Sequence, residues 1–502
     1  MISRQDCQNF KRRQKKINLL KGFLVVIAFF LLLWLGYYLF AILALVFSYL
    51  IHELVWSDHI FYDPRQDYVY NLRADETQSA VIAHEILELP PGMASDDTHL
   101  VELKVNTTIV GYFLDPYVEI IAEPNFKNVK QKKSVRQYFE RRAAGVRFLN
   151  ISHLIENGHG RLKIVAHYCS FDPTVNILSF KNPLSDQPKV MIIAPHADDA
   201  ELAAFCLYSR HDSCIVTLTA GEIEAEYYEH GAAGKEEASR FKGRLRSWDS
   251  VVVPQWGGVN DGNTVQLGYF CLALERMCAQ KDVAVSSSTA NLDDTRYFRS
   301  FNHRRLKSDQ DGLPTWNNLV QDLVEVMQDC KPDIIVTPHP VIDPHRDHRY
   351  ATMACLEACE KSMIAVDCFL LYANHYACTD MFPFGLSGSV ASLPPVFDPT
   401  PEMKVFSYLT DQPCQQEKLA ALAMMHDLMT PIGLKKKIRQ ILQHVFLRRD
   451  AMRYGDDDYF RKSIRHNELF YPVDIAQLKK LTAPVTDIES HPKNIPDTVG
   501  SK

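Results

Sequence analysis

Uninterrupted apolar residues near the amino terminus form the longest hydrophobic run in the chain. The stretch from Phe23 to Ile51 contains no charged residue, and a helix of about 20 apolar residues crosses the core of a bilayer. A cleaved signal peptide has a shorter apolar region and a small-residue exit site, which the sequence after Ile51 lacks. We therefore predict one tilted transmembrane helix over residues 23–51, with a re-entrant bend at Gly36 as the alternative.

Alternating apolar and polar residues, rich in β-branched and aromatic types, follow this anchor. The clearest runs are residues 100–121, 146–151, 162–167 and 175–180. Short runs of this kind, separated by turns, are typical of β-strands. We therefore predict a small β-sandwich over residues 60–182. Its aromatic side chains could stack on sugars or pack its core, and both interpretations stay open.

From residue 188 onward, apolar runs alternate with helical periodicity. Buried strands are predicted at residues 190–194, 214–219, 251–253, 334–337 and 369–373, and a helix at residues 318–330. This alternation predicts an α/β fold, with a Rossmann-like, mostly parallel, doubly wound sheet over residues 188–472. The polar tail, residues 480–502, is predicted to be disordered.

Two clusters of imidazoles and carboxylates follow two of these predicted strands. The first reads Pro-His-Ala-Asp-Asp-Ala-Glu over residues 195–201, and the second reads His-Arg-Asp-His over residues 345–348. Open α/β sheets bind ligands at the carboxyl ends of their strands. Histidine nitrogens and carboxylate oxygens are the ligands of hydrolytic zinc centres, which also need a carboxylate to accept a proton from water. The two clusters therefore predict a metal site.

This pair of motifs resembles the LmbE-like or PIG-L family of zinc-dependent N-acetylglucosaminyl de-N-acetylases, over roughly residues 188–430. Ala197 stands where that family usually has proline. The resemblance implies zinc ligation by His196, Asp199 and His348. It also implies Asp198 as general base, His345 as oxyanion stabiliser or proton donor, and Asp347 as the group that orients a histidine. Weaker matches suggest that Glu222 and Arg246 bind substrate, and His375 follows the strand at 369–373 and could reach the same cleft.

We therefore expect a membrane-anchored zinc deacetylase, with Fe²⁺ as the alternative metal. Its substrate would be an N-acetylated amino sugar in a glycolipid or lipid-linked saccharide such as lipopolysaccharide, because an anchored enzyme meets a membrane-bound acceptor at high effective concentration. The alternatives are a non-catalytic, membrane-tethered glycan-binding protein and an amidase for a small soluble conjugate.

Charge adds a prediction of topology. The net charge of −6 over 502 residues provides no basic field for nucleic acid. Basic residues are concentrated in residues 1–22, so the positive-inside rule puts the amino terminus in the cytoplasm. A single span then predicts an inner-membrane protein with a periplasmic catalytic domain, whereas the scattered cysteines favour the cytoplasmic alternative. The basic residues between Lys435 and Arg449 form either a solvated helix face or a contact with anionic lipid.

Overall fold

A computed structural model describes residues 4–58, 60–123, 133–155, 160–449 and 457–483. Most of the tail predicted to be disordered, residues 484–502, lies outside the described residues. Within the described chain, two β-sheets follow a pair of apolar helices.

The apolar stretch forms two helices rather than one. Helix α1 spans Arg4–Trp34 and α2 spans Tyr38–Ile51, with a π-helical turn at His52–Trp56 after it. Between the helices Gly36 has a φ of 78°, a left-handed conformation that glycine adopts without a steric penalty. Each helix is long and apolar enough to cross a membrane, over Asn9–Trp34 and Tyr38–Val55. The apolar stretch is helical, but the prediction of one continuous helix over 23–51 is wrong, and the break lies at Gly36, the position given as the alternative.

The first sheet contains nine antiparallel strands. Its order is β5-β4-β7-β2-β1-β9-β3-β6, with β8 paired to β3, so the strands form one continuous sheet. The sheet curls around a common core that includes Leu103, Ile120 and Ile164, in a barrel-like arrangement, and the two-sheet sandwich is not confirmed. The strands are β1 (Glu76–Ala83), β2 (Ile86–Glu88), β3 (Thr98–Thr107), β4 (Tyr117–Glu123), β5 (Ser134–Tyr138), β6 (Ala144–Asn150), β7 (Arg161–His167), β8 (Cys169–Phe171) and β9 (Thr174–Phe180).

The second sheet has the order β12-β11-β10-β13-β14-β16-β15. Strands β10 to β14 run parallel, while β16 and β15 are antiparallel additions at one edge. Together with its helices, this sheet confirms the α/β class. The strands are β10 (Val190–Ala194), β11 (Ser213–Thr219), β12 (Thr264–Tyr269), β13 (Ile334–Pro338), β14 (Cys368–Tyr372), β15 (Phe406–Leu409) and β16 (Asn467–Val473).

Helices cover both faces of this second sheet. Ile193 packs in a core cluster with Leu323 of α6 and Cys355 of α7, whereas the adjacent Ile192 packs with Phe205 of α3 and Leu422 of α8. The helices are α3 (Asp199–Tyr208), α4 (Lys235–Trp256), α5 (Leu274–Ala279), α6 (Trp316–Cys330), α7 (Arg346–Ser362), α8 (Gln412–Met424), α9 (Leu434–Leu447), α10 (Asp457–Ser463) and α11 (Ile475–Thr482).

One predicted strand is wrong. Residues 251–253 lie within α4, because three consecutive valines give no period that separates a strand from a buried helical turn. The missing strand is β12, which the sequence interpretation did not identify.

The two sheets share a hydrophobic core. Leu100 and Phe180 of the antiparallel sheet pack in the same cluster as Met191 and Ile335 of the parallel sheet. A polar contact joins them as well, since the Asn150 side chain on β6 donates to the Ser407 hydroxyl on β15 over 2.7 Å. A disulfide between Cys206 and Cys414 links α3 to α8.

Candidate metal centre

The two motif clusters meet because their strands are neighbours. Strands β10 and β13 pair in parallel, so their carboxyl ends lie side by side. After β10 the chain passes His196 and enters α3 at Asp199, and after β13 it enters α7 just before His348. The sheet topology therefore brings residues that are about 150 positions apart in the sequence into one buried site.

The three predicted metal ligands are in direct contact. Asp199 Oδ2 lies 3.1 Å from His196 Nδ1 and 3.2 Å from His348 Nε2, so one carboxylate oxygen lies between two imidazoles. Asp199 Oδ1 accepts a hydrogen bond from the Asn374 side chain over 2.8 Å. Burial opposes the positive charge on His348, but Asp199 and Asp343 outweigh it and raise the pKa of this imidazole to about 10.

Asp343 holds His348 from the side away from Asp199. Its Oδ2 lies 2.9 Å from His348 Nδ1 and also accepts hydrogen bonds from the backbone of Asn374 and His375. Burial raises the pKa of Asp343, but the neighbouring His348 lowers it by more, so that the resulting pKa is about 2. A carboxylate behind a ligating histidine fixes its tautomer and its orientation. Asp343 was not predicted, although it lies in the polar segment between β13 and α7, where such a partner would be sought.

The donor set fits a divalent metal. Among the described residues, three groups of side chains place ligand atoms within 4.8 Å of one another, and none of them contains all three predicted ligands: His196, His345 and His348; His196, Cys271 and Asp347; and Asp199, His348 and His375. His348 Nε2 is buried and makes no hydrogen bond, although Asp199 Oδ2 lies 3.2 Å away. Buried imidazole and carboxylate atoms without partners suit Zn²⁺ or Fe²⁺, both of which accept nitrogen and oxygen ligands.

Asp347 and Cys271 surround the other side of His196. Asp347 Oδ2 lies 3.3 Å from His196 Nε2 and accepts a hydrogen bond from the Leu272 backbone over 2.7 Å, which is the placement expected of a group that orients a histidine. Cys271 Sγ lies 3.6 Å from the same His196 nitrogen. Burial raises the pKa of Cys271 to about 12, so it is a thiol at neutral pH.

His345 and His375 are half-buried members of the cluster. The ring centroid of His345 lies 4.8 Å from that of His348 and 5.3 Å from that of His375. Burial, together with the nearby imidazoles of His196 and His348, lowers the pKa of His345 to about 3, so this ring is neutral at neutral pH. His375 is half-buried and belongs to one of the three possible ligand groups.

Asp198 lies at the edge of the cluster, where Arg246 holds it. The guanidinium of Arg246 donates to Asp198 Oδ1 over 3.0 Å and also pairs with Asp427. Lys242 reaches Asp427 over 3.1 Å. Arg246 was predicted to bind substrate; it pairs with the predicted general base, and its contact with substrate stays a prediction. Asp427 follows α8 and gave no sequence signal, because its partners lie about 180 residues earlier.

Glu222 does not face the cleft. Its buried carboxylate accepts hydrogen bonds from the Cys271 backbone over 3.1 Å and from the Ser287 hydroxyl over 2.8 Å. Burial raises its pKa. The predicted substrate contact is therefore corrected: Glu222 fixes two loops beside the site, since its carboxylate has no exposed surface.

Comparison with known proteins agrees with this site. The family model described as PIG-L: GlcNAc-PI de-N-acetylase matches residues 191–359. Among solved structures, N,N'-diacetylchitobiose deacetylase from Pyrococcus horikoshii is similar at 16% identity and a TM-score of 0.31, over 59% of this chain and 87% of that chain. The 4-carboxy-2-hydroxymuconate hydratase from Pseudomonas putida KT2440 is similar at 11% identity and a TM-score of 0.24, over 52% of this chain and 85% of that chain.

No curated protein matches the chain. The family match covers His196, Asp198 and Asp199 together with His345, Asp347 and His348, which are all the residues predicted to bind metal or carry out the reaction. The predicted resemblance is confirmed, and residues 191–359 form a PIG-L family domain.

Proposed function

We propose that the protein is a metal-dependent deacetylase that removes the acetyl group from an N-acetylated amino sugar. The observation that carries this proposal is the convergence of His196, Asp199 and His348 beside Asp198 and His345, within a domain of a family described as a de-N-acetylase. Zn²⁺ is the favoured metal and Fe²⁺ the alternative, since both suit these ligand atoms.

The residues divide the reaction between them. A divalent metal, when bound, supplies Lewis acidity toward the amide carbonyl and lowers the pKa of water. Asp198 accepts a proton from the attacking water and passes it to the amine nitrogen as the C–N bond breaks, and Arg246 holds this carboxylate through an ion pair. His345 donates a hydrogen bond to the developing oxyanion. Asp343 and Asp347 orient His348 and His196, and the products are acetate and a free amine.

We further propose that the substrate is lipid-linked. The support is the pair of apolar helices, each long enough to cross a bilayer, which would confine the enzyme to the surface where a glycolipid lies. Confinement raises the effective concentration of both partners. A free soluble sugar would gain nothing from this attachment.

The predicted domain boundaries also stay proposals. We propose a Rossmann-like deacetylase domain over residues 188–472, supported by the five parallel strands and by helices on both faces of the sheet. Residues 60–182 form the added β-rich module, and residues 1–22 and 23–51 the basic segment and the apolar anchor.

The experiment that tests this function measures acetate release by the full-length protein in detergent. The substrates are an N-acetylglucosaminyl phospholipid and free N-acetylglucosamine. Asp198→Asn preserves the shape of the side chain but removes the base, so we expect a loss of about 10²–10⁴-fold in kcat. The exposed Asp293→Asn is the matched control and should keep full activity. Metal-loaded protein that releases no acetate from either substrate would contradict the proposal.

A further inference from the structure

The two apolar helices pack against each other as a hairpin. Helices α1 and α2 are in contact, and each has a shielded face with helical spacing. On α1 the half-buried positions include Lys21, Val25, Phe29 and Leu32, and on α2 the shielded positions are Ala41, Ala44, Ser48, Leu50 and Ile51. Residues three or four apart lie on the same helix face, so these two faces form one continuous seam. The chain therefore turns back at Gly36 rather than continuing in one direction.

Both ends of this hairpin reach the folded domains. Lys11 and Phe61 lie 25 residues before and after Gly36, and the ammonium of Lys11 lies 4.5 Å from the centroid of the Phe61 ring. A span of 18 helical residues is about 27 Å long, close to the thickness of a bilayer core. At the far end of the hairpin Trp34 and Tyr38 are exposed, and such aromatic residues prefer the membrane–water interface.

Helix α9 lies at the base of the hairpin, which is the end at residues 52–57 nearest the folded domains. Its polar and apolar faces are oriented the opposite way from those of a typical surface helix. The polar face contacts the protein: Arg439 pairs with Glu53 over 2.6 Å, and Gln443 donates to the Ser57 hydroxyl over 3.1 Å. The apolar face is exposed, with exposed fractions of 75% for Leu434, 38% for Ile438, 60% for Ile441 and 64% for Val445. A surface helix of a soluble protein normally turns its apolar face toward the core. The reversed arrangement requires an apolar environment outside the protein.

A second exposed apolar segment, residues 109–113, lies at the same base. Ile109 is 82% exposed and Phe113 is 54% exposed. This segment leads directly to Asp115, which pairs with Arg449 at the end of α9 over 2.8 Å. Arg141 also pairs with Asp115 and donates to the Leu54 carbonyl over 2.6 Å. These contacts place the segment, α9 and the end of the hairpin together.

We propose that these three elements form one membrane-binding surface. The hairpin crosses the bilayer twice and returns the chain to the side from which it entered, and α9 and residues 109–113 insert shallowly into the leaflet of that side. The occupant is lipid because the apolar face of α9 is continuous with the base of helices long enough to span a membrane. The exposed cations Lys435, Lys437 and Arg448 favour anionic headgroups. This surface goes beyond the proposed function and does not depend on the chemistry of the site.

One consequence concerns the side of the membrane. A single span would put the amino terminus and the PIG-L domain on opposite sides, whereas the hairpin puts them on the same side. To test this, the full-length chain would carry one epitope tag at each terminus in sealed membrane vesicles of known orientation. We expect protease to remove both tags from the same face. Removal of the two tags from opposite faces would overturn the hairpin.

The contact of α9 and residues 109–113 with lipid needs a local probe. An environment-sensitive fluorescent amino acid would replace Val445, Ile109 or Val81, one at a time, in the full-length protein reconstituted in vesicles with phosphatidylglycerol. Val81 is 59% exposed on β1 and matches Val445 in size and exposure.

We expect lipids brominated on their acyl chains to quench the probe at 445 and 109 but not at 81. Absence of quenching at 445 would overturn the proposal. This holds even if the fluorescence shifts to the blue, because a second copy of the chain covering the probe would give such a shift without quenching. Neither measurement uses catalytic activity, so failure of the proposed function would leave both results interpretable.

Discussion

Individual side chains at the candidate metal centre are held by neighbours that only the fold brings near. The sequence predicted His196, Asp199 and His348 because their types and their positions after strands match the chemistry of a metal site. It did not predict Asp343, Cys271 or Asp427, since their partners are determined by loop conformations and by contacts distant in the chain. It placed Glu222 in the cleft because a motif position does not reveal whether a carboxylate is buried.

The role of Asp343 leads to a prediction about metal affinity. Asp343→Asn keeps the size of the side chain but removes the negative charge behind His348, so this imidazole becomes a weaker ligand. We expect metal affinity to fall about 10–100-fold, measured by competition with a chelator. The exposed residue Asp367 provides a control, since Asp367→Asn should retain wild-type affinity. An unchanged affinity in Asp343→Asn would mean that His348 does not bind the metal.

A half-buried histidine remote from the site, with both ring nitrogens shielded from solvent, predicts acid sensitivity. Neither ring nitrogen of His153 is accessible to solvent or hydrogen-bonded, and the ring stacks on His466 at 5.5 Å. Burial, aided by the charge of His466, lowers the pKa of His153 to about 3, against about 6.5 in an unfolded chain. The unfolded state therefore binds the proton more readily, and the stability contributed by neutral His153 is complete above pH 6.5 and decreases as the pH falls toward 3.

His153→Phe removes this proton uptake while keeping an aromatic ring. Between pH 7 and pH 4 we expect the variant to lose less unfolding free energy than the wild type, by up to about 3 kcal/mol. Chemical denaturation at several pH values would measure the difference. The exposed His303 is the control, and His303→Phe should follow the wild-type pH dependence. Parallel curves for His153→Phe and the wild type would show that His153 is not buried in its neutral form.

At the scale of whole elements, periodicity predicted the strands with clear boundaries and failed where the pattern was ambiguous. The predicted strand at 334–337 and helix at 318–330 agree with β13 and α6 to within two residues. Three valines at 251–253 were assigned to a strand but belong to α4, because three consecutive apolar residues show no period. The apolar run at 23–51 fixed the helical state of this region but not its turn at Gly36.

The end of α7 offers a test of local conformation. Met363 ends this helix with φ 58° and is 88% exposed, so a side chain with few contacts occupies a left-handed conformation that favours glycine. Met363→Gly should increase the unfolding free energy by about 0.5–1 kcal/mol, visible as a higher Tm. Met363→Ala is the control, because it removes the exposed side chain without relieving the backbone. Equal Tm values for the two variants would contradict this interpretation.

At the scale of the whole molecule, the anchor, the antiparallel sheet and the PIG-L domain form a continuous structure. The shared core of Leu100, Phe180, Met191 and Ile335 joins the two sheets, and α9 joins them to the hairpin through Glu53. The sequence predicted these parts as separate modules because contacts between modules leave no periodic signal.

If the hairpin returns the chain to its side of entry, the basic residues before it favour a cytoplasmic PIG-L domain. The Cys206–Cys414 disulfide favours an oxidising compartment, and the tag experiment in vesicles of known orientation distinguishes these locations.

The most direct test of the proposed function is a paired measurement of bound metal and acetate release on the same preparations of full-length protein. The wild type should contain about one metal ion per chain and release acetate from an N-acetylglucosaminyl phospholipid. His348→Ala should lose both metal and activity, whereas Asp198→Asn should keep the metal and lose activity. Folded wild-type protein that binds no divalent metal, or His348→Ala that keeps both metal and activity, would contradict the account.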